Sequence, residues 1–153
     1  MSTRAIQYLK KNRITFEVVT YTHEAKGAAF AAQATGYPLK MTVKTLVVEL
    51  EDNQYTLVLV PGDRQLSMKR LAKACGGKRA AMAAPKTAER LTGYPVGGIS
   101  PFGTRQGLPV VMDAGIDKNE KILINAGQRG KMILMSPADI QKTLSCTRAP
   151  VSQ

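Results

Sequence analysis

Tryptophan is absent from the 153 residues, histidine occurs once, at His23, and cysteine twice, at Cys75 and Cys146. These scarcities exclude much chemistry. One histidine and two distant cysteines, without a CxxC spacing, cannot assemble a zinc site. Any Ser-His-Asp or Cys-His arrangement would have to use His23, and no GxSxG elbow accompanies it. A solvent-facing or structural histidine is the simpler reading. The two cysteines read as reduced thiols of a cytoplasmic protein. No GxxxxGK[ST] phosphate loop is present, and the glycines between Gly97 and Gly103 do not open a helix after a strand as a dinucleotide loop would. No metal and no cofactor is implied. No run approaches the roughly 18 apolar residues that span a membrane. The start, Met1-Ser2-Thr3-Arg4, leads into a mixed polar helix rather than the apolar core of a secretory signal.

Acidic residues are also few. Asp plus Glu number 11 against 22 Lys plus Arg, a net charge of +11. From Arg64 to Met112, Glu89 is the only acid among nine basic residues, Lys69, Arg70 and Lys73 included, so this third of the chain carries +8 of the +11. Such a field attracts polyanions and speeds their encounter. A generic solubility charge is the plainer alternative. An anionic membrane surface fits less well, because no basic amphipathic helix with aromatic anchors is visible.

A chain of this length, 44% hydrophobic, reads as one globular domain. Helices are expected at Thr3 to Asn12, Gly27 to Thr35, from Ser67 to Ala74, from Pro85 to Gly93, and from Ser136-Pro137 to Leu144. Strands are expected at Phe16 to Tyr21, Val43 to Leu50 and Tyr55 to Val60, the last two joined as a hairpin by Glu51-Asp52-Asn53-Gln54. Further strands are expected at Leu108 to Met112, Lys121 to Asn125 and Met132 to Met135, with a glycine turn at Gly127-Gln-Arg-Gly130. Their irregular order favours an α+β domain with a mixed, curved sheet over a doubly wound fold. The domain is expected over 1–146, with a short tail, 147–153, that frays from about Cys146 onward.

Two features stand out. Lys44 sits at the start of an apolar strand, Val43-Lys44-Thr45-Leu46-Val47-Val48. Its ammonium needs anions or water; it either meets an anionic ligand or snorkels to solvent from an edge strand. Gly97-Gly98-Ile99-Ser100-Pro101 pairs adjacent glycines with a stiff proline. It is either a plain turn or a loop that presents N–H donors to a carbonyl or phosphate oxygen.

In order along the chain, Thr20-Tyr21-Thr22-His23, Val43-Lys44-Thr45-Leu46, Thr92-Gly93-Tyr94-Pro95-Val96-Gly97-Gly98-Ile99-Ser100-Pro101 and Gly127-Gln128-Arg129-Gly130 resemble the YbaK/EbsC family of aminoacyl-tRNA deacylases. That family is similar to the editing domain inserted in bacterial prolyl-tRNA synthetase. The resemblance covers nearly the whole chain, and the ten-residue glycine-proline segment is its most specific part. It implies a single α+β domain with a partly barrel-like sheet, and a pocket for an aminoacyl group on the terminal adenosine. Lys44 matches the family's essential lysine. Tyr21, Phe30 and Thr45 match positions around the pocket, Gly98-Ile99-Ser100-Pro101 matches its GxxP loop, and Gly127 and Arg129 match a second turn beside it. The activity implied is trans-editing: hydrolysis of a wrongly attached amino acid, cysteine or another small one, from tRNA, with tRNA(Pro) foremost. The charged 3′ end of tRNA is then the partner and prolyl-tRNA synthetase a candidate one. A non-catalytic binder of aminoacyl-RNA or nucleotide on the same fold is the alternative.

One departure bears on specificity. Cysteine-specific relatives are expected to carry an acid two positions after the Gly-x-Arg-Gly turn, where this chain has Met132. For mechanism, Lys44 would anchor the terminal phosphate or the ester, and backbone groups of Gly98 to Ser100 would orient the carbonyl. Water, or a cysteine substrate's own thiol, would attack. The Ser100 hydroxyl is a weak candidate nucleophile because no base is expected near it. Lys69, Arg70 and Lys73 would contact RNA.

Overall fold

A computed structural model describes residues 2–22, 24 and 27–153. Helix α1 (Arg4–Lys11) starts where Thr3 Oγ1 accepts the Ile6 N–H, and it buries Ala5, Ile6 and Leu9 on one face. Strand β1 (Glu17–Thr20) follows, then α2 (Ala28–Thr35), which stops at Gly36 in the left-handed conformation that glycine adopts without steric cost. Strands β2 (Thr42–Leu50) and β3 (Tyr55–Pro61) form the expected hairpin. Helix α3 (Met68–Ala74) is capped by Ser67 Oγ, which accepts the Arg70 N–H. After it come β4 (Ala80–Met82), α4 (Pro85–Thr92), β5 (Val110–Asp113), β6 (Ile122–Gln128), β7 (Lys131–Met135), α5 (Pro137–Leu144) and β8 (Thr147–Ala149). None of the helices among the described residues is long and apolar enough to cross a membrane.

The strands build one mixed sheet in the order β1-β7-β6-β2-β3-β5-β8, with β4 attached to β2. The architecture is the expected α+β, with β2–β6, β3–β5 and β5–β8 parallel and the other pairs antiparallel. On one edge β2 pairs continuously with β3. On its other edge it meets two strands in succession. Thr42 and Val43 pair with β6, and Val48 to Leu50 pair with β4. Among the described residues, no strand pairs with Lys44, Thr45 or Leu46 there.

Cross-strand neighbours share a sheet face. One face carries the main core, with Val43, Val47, Leu57, Leu59, Ile122, Ile124 and Phe102. The other carries two smaller clusters, one around Val48, Val58, Val60 and Leu71, the other around Ala31, Leu123, Met132 and Leu134. Tyr94 braces the main core near the glycine loops. Its hydroxyl donates to the Phe102 carbonyl at 2.5 Å, and its ring lies so close to Gly127 that a Cβ there would sit 2.6 Å from it.

The segment from Cys146 onward does not fray. β8 pairs in parallel with β5, and Val151 and Ser152 are buried. The buried carboxylate of Asp113 accepts both the Val151 and Ser152 N–H at 3.0 Å. Residues Thr147-Arg148-Ala149-Pro150-Val151 have too weak an alternation for the periodicity to reveal; the edge of β5 pairs with β8, and the Asp113 carboxylate holds the residues after it. Both cysteines are free thiols, Cys75 exposed and Cys146 buried.

Burial pushes the Cys146 thiol up to about 11 and the Tyr94 hydroxyl up to about 12, from ordinary values of 9.0 and 10.0. The unfolded chain therefore loses these protons first. The contribution of these two groups to stability should be level below about pH 9, fall as pH rises from about 9 to about 12, and level again above. Urea unfolding across that range is the measurement. Tyr94→Phe and Cys146→Ala should each flatten part of the alkaline decline, and Tyr94→Phe should also lower neutral stability by about 1–2 kcal/mol through the lost hydroxyl bond.

Candidate active site

The gap in pairing along β2 opens into a cavity of about 310 Å³. It passes beside the strand edge and touches both sheet faces. On the side of the smaller clusters it is lined by Tyr21, Ala28, Ala31, Lys44, Leu46, Met82, Asn125 and Met132. On the main-core side it is lined by Thr45, Val47, Ala83, Ala88, Val96 and Ile99. Lys44 and Thr45, adjacent in sequence, point to opposite faces because side chains alternate along a strand. The strand edge between them crosses the cavity.

The Val47 carbonyl accepts the Ala83 N–H at 3.0 Å on this edge. Backbone groups two residues apart face the same side. The N–H and C=O of Thr45 therefore face the cavity where no strand covers them. The Thr45 hydroxyl is buried and has no hydrogen-bond partner among the described residues. A buried hydroxyl left unsatisfied costs about 1–3 kcal/mol, so a ligand that bonds it recovers that penalty.

Lys44 has a local acceptor for its ammonium. Its Nζ donates to the Arg64 carbonyl at 2.5 Å. Partial burial holds its pKa below the usual lysine range, while Asp63 opposes that shift. The ammonium thus neither meets a carboxylate directly nor hangs freely in solvent.

The two glycine loops form one unit at the cavity rim. Gly97 and Ile99 line the cavity, while Gly98 packs against the second turn, where a Cβ would lie 2.8 Å from Arg129 N and Gln128 C. Arg129 Nε donates to the Val96 carbonyl at 2.8 Å and ties the turns together. Gly127 and Arg129 support the rim rather than line the cavity. The Gly98 N–H is already taken by the Pro95 carbonyl at 2.9 Å. Ser100 is fully buried, and its Oγ accepts the Phe102 N–H at 3.2 Å, stabilising the turn. Pro101 is buried behind it. Phe30 stands outside the lining and packs on the Tyr21 ring with centroids 6.2 Å apart. Burial pushes the Tyr21 hydroxyl pKa up.

Of the residues expected at the site, Tyr21, Lys44, Thr45, Ile99 and Met132 therefore meet around one cavity, with Gly98, Ser100, Pro101, Phe30, Gly127 and Arg129 in supporting positions. Met132 is buried, opposite Asn125 in the β6–β7 ladder, and lines the cavity rather than pointing away. Asn125, Met82 and Ala83 were not anticipated. Met82 and Ala83 belong to or follow a three-residue strand with no alternation to betray it. His23 lies outside the described residues.

The basic surface is partly committed elsewhere. Arg70 Nη1 donates to the Ser152 carbonyl at 2.5 Å, and Arg64 holds both the hydroxyl and the carbonyl of Ser152. Lys69 and Lys73 remain exposed on α3. That helix packs against β4, whose far end, Met82, lies at the cavity mouth.

Residues 22–143 match the model of the aminoacyl-tRNA editing domain. The chain belongs to that family. It is 33% identical over 141 residues to the multifunctional Ser/Thr-tRNA deacylase ProXp-y of Escherichia coli, covering 89% of this chain and 83% of that one. It is 28% identical over 140 residues to a protein of Enterococcus faecalis provisionally described as the Cys-tRNA(Pro)/Cys-tRNA(Cys) deacylase EbsC, covering 90% and 85%. The solved structure of the hypothetical protein APE2540 shares the fold, with a TM-score of 0.91 and 24% identity over 99% of this chain and 100% of that one. The editing-hydrolase class expected from the motifs agrees with this membership.

Gly98→Ala should part the two glycine loops, since backbone atoms and not a flexible side chain stand in the way. Thermal unfolding of the variant should show a loss of about 1–3 kcal/mol, and deacylation should fall with it.

Proposed function

We propose that this editing domain hydrolyses the ester between a small hydroxyl-bearing amino acid, serine or threonine, and the 3′ end of a tRNA in the cytoplasm. The observation that carries the proposal is the open edge of β2, with a cation on one face and a buried, unpartnered hydroxyl on the other. The aminoacyl ester would lie across this edge. Its side chain would enter between Thr45, Val47, Ala83, Ala88 and Ile99, where Thr45 Oγ1 bonds the substrate hydroxyl. The nucleotide would remain on the Lys44 side, where the ammonium bonds the terminal phosphate or the ribose. The Thr45 N–H, rather than that of Gly98, is the backbone donor available to the ester carbonyl. Water attacks the carbonyl, and the ribose oxygen leaves with a proton.

No carboxylate lines the cavity among the described residues. Met132 takes the place of the acid expected in cysteine-specific relatives, and Asn125 beside it offers only a neutral amide. The cavity therefore lacks an anion that would grip the α-ammonium, common to all these substrates, by a charge-assisted bond. What puts cysteine second in the proposal is the departure from the acid of cysteine-specific relatives, together with the name of the Ser/Thr-tRNA deacylase relative. The cognate of proline is the foremost tRNA, with prolyl-tRNA synthetase as the enzyme whose errors would be corrected. The RNA would approach over α3 and β4, with Lys69 and Lys73 on phosphates. Arg70 contributes chiefly through its hold on Ser152.

The test is a panel of seryl-, threonyl-, alanyl- and cysteinyl-tRNAs. Seryl or threonyl esters should be cleaved fastest. Lys44→Ala should slow cleavage by about 10²–10³-fold, the scale of losing one charged contact at a reacting centre, with circular dichroism unchanged. Thr45→Val should slow seryl release by about tenfold, the equivalent of one hydrogen bond, and leave alanyl release nearly unchanged. Binding of every charged tRNA without ester loss would instead indicate a non-catalytic binder.

RNA affinity should fall steeply with salt. Reversing the charge of Lys69 and Lys73 should reduce the slope of log K against log salt by about 0.7–0.9 for each phosphate contact removed. Filter binding at several salt concentrations measures it, and an unchanged slope would place both residues away from the RNA.

A further inference from the structure

The acceptor of the Lys44 ammonium, the Arg64 carbonyl, belongs to the segment between β3 and α3. Its place is set by chain distant in sequence. Gln65 and Gln153 exchange both backbone bonds, at 3.0 and 2.8 Å. Leu66 and Ser152 form an antiparallel bridge, and the Ser67 N–H donates to the Val151 carbonyl at 2.8 Å. The Arg64 side chain reaches Ser152 Oγ at 3.1 Å and the Ser152 carbonyl at 3.3 Å, and Arg70 joins it on that carbonyl.

Ser152 is in turn anchored from below. Asp113 is 3% exposed, and its Oδ1 accepts the N–H of Val151 and of Ser152. Its Oδ2 accepts the Gly115 N–H at 3.1 Å. A buried carboxylate is retained only where its charge is met by donors, and here two of its three donors belong to this segment. On the other flank Gly62 is wedged so tightly that a Cβ would lie 2.6 Å from the Thr42 carbonyl and 2.7 Å from that of Leu39. The carbonyl that receives Lys44 is therefore gripped from both sides, by Asp113 and Ser152 outside the cavity lining and by Gly62 on the backbone of Thr42, which belongs to it.

We infer that Val151–Gln153, held by Asp113, is a positioning device for the Lys44 ammonium, with Asp113, Arg64 and Ser152 acting through the Arg64 carbonyl. This rests on the reading above that Lys44 serves the reaction. The linkage runs from Asp113 to the backbone of Ser152, from Ser152 to Arg64, and from the Arg64 carbonyl to Lys44 Nζ. When the segment is released, the carbonyl moves, and the ammonium loses the orientation that its place beside the open edge of β2 requires. Pro61 closes the ladder with Val43 and Gly62 packs on Thr42, but Asp63, Arg64 and Gln65 beyond them are exposed, so their position leans on Val151–Gln153.

Ser152→Pro is the first variant. It removes the N–H that Asp113 holds and the hydroxyl that Arg64 holds, and it leaves the net charge unchanged. Asp113→Asn is the second. It keeps the shape of the carboxylate but replaces one acceptor oxygen with an amide donor and removes the charge that the Val151, Ser152 and Gly115 N–H groups share. Thermal melts select whichever variant stays folded at the assay temperature. Two readouts follow. Labelling of Lys44 by a water-soluble amine-reactive ester, relative to exposed Lys142, is read by peptide mass spectrometry and needs no activity. It should rise several-fold as Nζ loses its carbonyl. Turnover of the charged tRNA cleaved best should fall by about 10- to 100-fold, the scale of a misplacement of about 1 Å at a reacting group, with KM little changed. Unchanged Lys44 labelling in a variant that stays folded overturns the inference. Raised labelling with unchanged turnover supports the positioning device and instead removes Lys44 from the proposed chemistry.

Discussion

A β-strand offers one hydrogen-bonding edge on each side, and the outer edge of β2 is divided between two partners that never meet. β6 follows it for two residues and β4 joins it five residues after β6 departs. The interval between them is the cavity. Its polar character comes from the main chain as much as from side chains, because a backbone N–H and C=O without ladder partners must find others. Everything else at the site is arranged about that interval: α2 on one face, α4 and the glycine loops on the other, and a lysine and a threonine from the strand itself.

The two faces impose different chemistry on what enters. The Thr45 side is walled by short apolar side chains belonging to the main core, and that core fixes its shape. The Lys44 side lies between the two smaller clusters, and Met82, which lines it, belongs to the strand that α3 packs against. In the proposed reading, a compact amino-acid side chain on one face and a polyanionic RNA end on the other match this asymmetry. Hydrolysis of an already labile ester then asks mainly for orientation, which held geometry supplies in large measure.

Much of the fold was legible in the sequence because local signals agreed with one another. Thr3, Ser67 and Ser136 cap the helices whose apolar spacing they precede, and Gly36 and Gly93 end theirs with positive φ. The β2–β3 hairpin stood out as two apolar runs around a polar turn. β4 did not, since Ala80-Ala81-Met82 carries neither branching nor alternation and forms only because β2 has an edge to offer. The segment Val151–Gln153 was illegible for a related reason. Its order comes from Asp113, nearly forty residues earlier, and no periodicity reports such a bond. At the site, Lys44 and Met132 could be singled out because each departs from its surroundings or from the family pattern. The duties of Gly98 and Ser100 could not be read, since a glycine needed for close packing and one needed to expose an N–H look the same in a sequence. Thr45 became distinctive only once its hydroxyl was seen to be buried with no partner.

An unpaired strand edge inside an otherwise bonded sheet is usually an invitation to aggregate, since a passing extended chain can add itself there. Here the free stretch is Lys44 to Leu46, closed at one end by β6 and at the other by β4, and walled by α2 and the Gly97–Ile99 loop. An added strand needs clear passage along its whole length at a spacing of about 4.8 Å from its neighbour. Such a chain would collide with β6 or β4 within a residue or two. The opening therefore has no room for an added strand, though a ligand that ends abruptly can enter it. The same arrangement that offers main-chain groups to the tip of a molecule protects the protein from edge-to-edge association with its own kind.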